Sequence, residues 1–171
     1  VDLTNANVSD SLLDTKCMST LVQLETLYLD GNNMSSTAGC SPSTSNTSGS
    51  VNKLARLRVG RNPLLIDLTN CFNIPTLQEL SLTDSTSVSG AFPADVCVAS
   101  TSLKKLDLSG CPFLTSLPDC LSTMKSLQIL DLSSTNVLPS TWLRGLESLS
   151  TLEWGGSTQR DLFAPDRWSH R

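Results

Sequence analysis

Six segments of this chain can be superposed without a gap, and that repetition limits the possible folds more than any other feature. They are Leu24–Asn32, Leu54–Asn62, Leu77–Ser85, Leu103–Cys111, Leu127–Thr135 and Leu149–Ser157. Each has apolar residues at its first, fourth and sixth places and Asn, Cys, Ser or Thr at its ninth. A partial copy opens the chain at Val1 to Ala6. The sixth-place residues are Leu3, Leu29, Val59, Leu82, Leu108, Leu132 and Trp154. They recur every 22 to 26 residues or so, with one step of about 30. Alternate residues of a short strand point to the same face, so the fourth and sixth places share a side. No single unit can bury that side alone. Stacked units bury one another's leucines, and stability accumulates from neighbour to neighbour.

Composition narrows the chemistry. The chain has 171 residues, a net charge of −4 and a charged fraction of 16%. Ser and Thr together make up roughly a quarter of it. Mild acidity argues against a nucleic-acid partner, which requires a basic face. The single histidine, His170, lies one residue from the C-terminus, which leaves a Ser–His–Asp arrangement without an anchored base. There is no Gly-x-Ser-x-Gly, P-loop, paired-His or Cys-x-x-Cys motif. We therefore expect no enzyme, no cofactor and no metal site. No apolar run approaches the ~18 residues needed to span a bilayer. Val1 falls inside a repeat, as it would in a mature or truncated piece of a longer chain.

The pattern L-x-x-L-x-L-x-x-N, with Cys, Ser or Thr replacing Asn, resembles the leucine-rich-repeat family. The likeness extends from residue 1 to about 157. It implies an α/β-type solenoid of six to seven repeats, a horseshoe with a parallel sheet on its concave side. In that family the ninth-place Asn bonds the turns of adjacent repeats in a ladder. Asn32 and Asn62 keep it, Cys111 is a common substitute, and Ser85, Thr135 and Ser157 are weaker versions. The runs Ser89–Pro93, Leu117–Pro118 and Leu138–Pro139 place an apolar residue before Pro. Pro pushes its predecessor toward extended backbone, so the convex side is expected to be irregular, extended or 3-10 with at most short helices. This resembles the plant-type repeat of receptor ectodomains, and the stretch Leu103–Ser134 also resembles repeats of plant cytoplasmic resistance proteins.

Two regions depart from the repeat. Residues Ser35–Asn52 form a Ser/Thr-rich stretch with little to bury, read as a flexible insertion. Residues 158–171 lose the pattern and read as a tail or partial C-terminal cap. Six cysteines are compatible with disulfides. Cys71 with Cys97 is one candidate bridge, Cys17 with Cys40 a second, and a set of small buried thiols is the alternative. Cys111, at the ladder place, reads as a buried thiol. Sequons occur at Asn7, Asn33 and Asn46, a number near chance for this composition.

The resemblance makes the concave sheet the working surface. Its central outward column is Asp2, Tyr28, Arg58, Ser81, Asp107, Asp131 and Glu153. Arg56, Arg58 and Arg61 cluster on one repeat beside Tyr28, and Asp107, Asp131 and Glu153 line up over three. Tyr and Arg are favoured interface anchors, so these seven residues are the candidate partner-binding set. The expected partner is a protein or peptide, met by a recognition module of a larger receptor or secreted protein, extracellular or at the cell surface. The alternative is a sensing segment of a cytosolic immune or scaffold protein.

Overall fold

The structure, a computed structural model, describes residues 1–9, 23–36, 53–68, 72–138 and 140–155. Six three- or four-residue strands form one parallel sheet. They are β1 (Thr26–Tyr28), β2 (Arg56–Arg58), β3 (Glu79–Ser81), β5 (Lys105–Asp107), β7 (Ile129–Leu132) and β8 (Thr151–Trp154). They lie side by side in chain order, and Asp2 extends the sheet by bridging to Tyr28. The register places Leu27, Leu57, Leu80, Leu106, Leu130 and Leu152 in one row. A second row, Leu29, Val59, Leu82, Leu108 and Leu132, is wholly buried behind it. Both rows belong to one continuous core.

Each coil turns the same corner. Two residues after the sixth-place apolar residue the backbone is left-handed: Asn5, Gly31, Arg61, Asp84, Gly110 and Ser134 have φ between 50° and 70°. That region favours Gly and tolerates Asn and Asp. Two of the glycines are also required by space. A Cβ on Gly31 would run into the Asn5 side chain, and one on Gly110 into that of Asp84.

The ladder runs through these corners. Asn32 donates to the Leu3 carbonyl at 2.9 Å and Asn62 to the Leu29 carbonyl at 3.1 Å. Ser85 reaches the Val59 carbonyl and Cys111 the Leu82 carbonyl, each at 3.4 Å. Every link thus joins a ninth-place residue to the sixth-place carbonyl of the preceding coil. Thr135 departs from this and bonds its own coil's Leu132 carbonyl at 2.8 Å. A second set of hydroxyls also links coils: Thr76 donates to the Leu54 carbonyl and Ser102 to the Leu77 carbonyl. The Ser/Thr richness therefore has structural work, since hydroxyls satisfy carbonyls that the turns leave open.

Opposite the sheet lie 3-10 helices at Ala94–Ala99, Asp119–Thr123 and Thr141–Gly145. A short parallel pair, β4 (Ser89–Ala91) and β6 (Phe113–Ser116), precedes the first two. Phe92 and Leu117, each ahead of Pro, are buried as the extended geometry there directs. Leu138 breaks that pattern and is 72% exposed. Helices pack tightly at Gly145, where a Cβ would run into the Ser122 carbonyl.

The cysteine pairing differs from the expected one. Cys97 is bonded to Cys120, not to Cys71, with Cα atoms 5.9 Å apart. Both occupy the 3-10 segment of consecutive coils, so the stacking that aligns the leucines also aligns the two sulfurs. Cys17, Cys40 and Cys71 lie outside the described residues, as do the insertion beyond Ser36 and the tail from residue 156. The bridge closes a segment of 23 residues, for which chain entropy predicts about 3 kcal/mol. Thermal melts of the Cys97→Ser/Cys120→Ser variant should show that loss, and an unchanged melt would contradict the pairing.

Candidate functional site

The outward columns of the sheet hold the candidate residues. The register places Asp2, Tyr28, Arg58, Ser81, Asp107, Asp131 and Glu153 in one row across the coils. Neighbouring strands of a sheet lie about 4.8 Å apart, so Asp107, Asp131 and Glu153 are consecutive neighbours, as the repeat alignment implies.

The basic end is more built than the sequence suggests. Arg58 Nε lies 2.9 Å from Asp30 Oδ2, and the Asp30 side chain is only 4% exposed. The guanidinium carbon stands 5.2 Å from the centre of the Tyr28 ring, within cation–π range. Asp30 Oδ1 accepts the Gly60 backbone N–H at 2.8 Å. By period-two alternation Asp30, two places beyond Tyr28, belongs on the outward side of its coil. Instead it turns inward between two coils, where one backbone N–H and the Arg58 cation compensate the burial of its charge. Gly60 makes the fit possible: a Cβ there would meet the Thr83 carbonyl at 2.6 Å and Asp30 Oδ1 at 3.1 Å. Arg56 is held in a similar way, with its Nε 3.5 Å from Glu79 and one terminal nitrogen donating to Thr26 at 3.3 Å. Arg61 is exposed and sits on the left-handed corner, off the strand that carries the other two.

The acidic end is partly committed to the backbone. Asp107 Oδ1 accepts from the Ser109 hydroxyl at 2.7 Å and from its N–H at 3.2 Å. Asp131 accepts the Ser133 N–H at 2.9 Å, and Ser81 pairs with the Thr83 hydroxyl at 2.8 Å. Asp2 does the same with Thr4, whose hydroxyl and N–H hold the carboxyl below its ordinary value. The short polar residue of the central column thus caps the end of its own strand, a local hydrogen-bonding habit of Asp and Ser. Lys105 Nζ lies 3.7 Å from Asp107 Oδ2. Glu153 is exposed and has no partner among the described residues.

Cys111 sits beneath the sheet as a free thiol, fully buried. Burial pushes it up from 9.0 to about 11. A raised folded-state value means the unfolded chain ionises first. The contribution to stability is therefore complete below pH 9 and is lost as pH rises toward 11. Iodoacetamide at pH 8 should leave Cys111 unmodified in the native chain and label it in denaturant; native labelling would contradict its burial.

No group of acidic, His or Cys side chains among the described residues is arranged to hold a metal ion. No helix among them is long and apolar enough to cross a membrane. No curated protein matches the chain significantly. Its fold is similar to two solved structures from Listeria monocytogenes. An internalin (inlF) shares 20% identity over 84% of this chain and 51% of that one, at a TM-score of 0.45. An internalin C2 (inlC2) shares 14% identity over 90% of this chain and 79% of that one, at a TM-score of 0.37. The chain spans about half the length of the first. Both likenesses are distant, and the fold rests on the chain's own register. The family model described as Leucine Rich Repeat matches residues 102–124. That segment is one coil of a pattern whose register, core rows and ladder recur in its neighbours, so the fold is that of a leucine-rich-repeat solenoid.

Proposed function

We propose that this chain is a recognition module, part of a larger receptor or secreted protein, that binds a protein or peptide across the outward face of its parallel sheet. The family's folds are commonly protein-binding and typically non-enzymatic. The observation that carries the reading is the Arg58–Tyr28–Asp30 unit. A buried carboxylate and an aromatic face hold a cation in place on an otherwise open sheet. Anchors held in this way lose little entropy on binding. Tyr28, Arg56, Arg58 and Arg61 form the basic end of the face, and Asp107, Asp131 and Glu153 the acidic end. A basic segment of the partner suits the acidic row, because like charges at strand spacing repel until neutralised.

An extracellular or cell-surface setting is supported by the Cys97–Cys120 bridge, since disulfides persist in oxidising compartments. Asn7 and Asn33, both within sequons, are exposed, as glycan attachment requires. The extended segments ahead of Pro93 and Pro118, with the parallel pair they form, support the plant-type likeness.

Panning a random-peptide display library on the immobilised chain tests the reading. Selected peptides should protect the strands of the large sheet in hydrogen exchange. The Arg56→Gln/Arg58→Gln variant should lose about 30-fold in affinity, the scale of an interface hot spot. Gln takes the cation from the buried Asp30 carboxylate, so Arg56→Gln/Arg58→Lys, which keeps that charge, is run beside it and should melt near the parent. Protection confined to the 3-10 side, or unchanged affinity, would count against the proposal.

A further inference from the structure

We infer that Asp30 is a positioning residue that aims the terminal nitrogens of Arg58 at an acidic side chain of a peptide partner. The inference rests on the binding reading above and adds the chemistry of one contact.

Arg58 has five N–H donors in a planar fork. Its Nε lies against Asp30, neither terminal nitrogen makes a hydrogen bond among the described residues, and the other carboxyl that feels its charge is Asp2. The Tyr28 ring restricts the guanidinium from one side. Asp30 is itself fixed, because its other oxygen accepts from Gly60 and its side chain is almost wholly buried. The chain of constraint runs from the backbone of β2's coil, through Asp30, to the guanidinium. Two parallel N–H groups at the end of a fixed fork match the two oxygens of a carboxylate. Neighbouring Arg56 has its Nε turned to Glu79 in the same manner, so a second cation stands beside the first at the spacing of alternate strand residues.

A surface ion pair made only for stability would place no premium on this arrangement, since such pairs contribute little. Here the carboxylate is buried and the arginine side chain is half exposed. The buried partner immobilises and the exposed partner presents.

Tyr28 is the one tyrosine of the chain, so tyrosine labelled with ¹³C gives a single ring signal next to Arg58. Acetate, titrated at constant ionic strength, is the probe of a carboxylate, and inorganic phosphate and methylammonium are run in parallel. Acetate should shift the Tyr28 signal saturably. The midpoint should rise about tenfold in Arg58→Lys, which keeps the charge and loses the fork, and in Asp30→Asn, which keeps the acceptor for Gly60 and loses the hold on Arg58. Lys125→Gln, which removes an exposed cation outside the sheet strands, should leave it unchanged. If acetate gives no saturable shift, if phosphate saturates and acetate does not, or if Arg58→Lys and Asp30→Asn titrate like the parent, the inference is overturned. Display-selected peptides that still bind the sheet face under those outcomes leave the recognition reading standing. A saturable, Asp30-dependent acetate shift with no peptide selected supports the carboxylate contact and removes the wider reading.

Discussion

Replacing Leu106 by Asp is expected to abolish the cooperative thermal transition followed by circular dichroism. Leu106 is fully buried in the middle of β5, with Leu80 on one side and Leu130 on the other. Two costs add. The leucine's burial is lost, about 1.5–3 kcal/mol, and an ion that must stay charged or take up a proton enters an apolar row, at several kcal/mol more. Domains of this kind carry about 5–15 kcal/mol in total. In a solenoid the damage also propagates, because the coils on either side lose the face they pack against. Thr151→Asp, an exposed outward residue on β8, is the control and should change stability by no more than about 0.5 kcal/mol. A normal melt for Leu106→Asp would show that this row is not the core.

Asn62→Ala should cost about 4 kcal/mol in urea unfolding, the second largest effect. Asn62 is fully buried. Its amide nitrogen donates to the carbonyls of Leu29, Val59 and Gly60 at 3.1, 2.8 and 3.0 Å. Its oxygen accepts the Met34 N–H at 3.2 Å. Alanine removes all four: the Met34 N–H is left unpaired away from water, at about 1–3 kcal/mol, and three carbonyls that keep Asn32, Ser85 and the Gly31 N–H each lose a second donor, at about 0.5–1.5 kcal/mol. Ser85, with its single 3.4 Å bond to the Val59 carbonyl, should lose only about 1 kcal/mol as Ala. Equal losses at the two positions would mean that the ladder is not what joins the coils.

The same comparison shows how far residue identity could be read. Asn32 and Asn62 behave as the motif predicts, and so does Cys111. Thr135 occupies the ladder place and turns to its own coil, a choice that depends on where the neighbouring carbonyl lies. The left-handed corner carries Asn, Gly, Arg, Asp, Gly and Ser in turn. So mixed a set gives no compositional signal, although the conformation is the same in the six coils that carry it. Asp30 belongs to an outward column by position, yet it is buried. Its inward turn depends on Gly60 and Arg58, both about one coil later in the chain. The clue was present, in a glycine at a place where Thr4, Thr83, Ser109 and Ser133 stand in other coils, but its meaning lay in a contact between coils.

Order along the chain was enough to determine the repeat, the strand places, the inward leucines and the outward columns, because each follows from period-two alternation within one coil. Which cysteine meets which, which charges are buried, and which part of Arg58 is left free were decided only when the coils stacked. Those are matters of distance between residues some 20 to 30 positions apart, and a local pattern carries no information about how closely two coils approach.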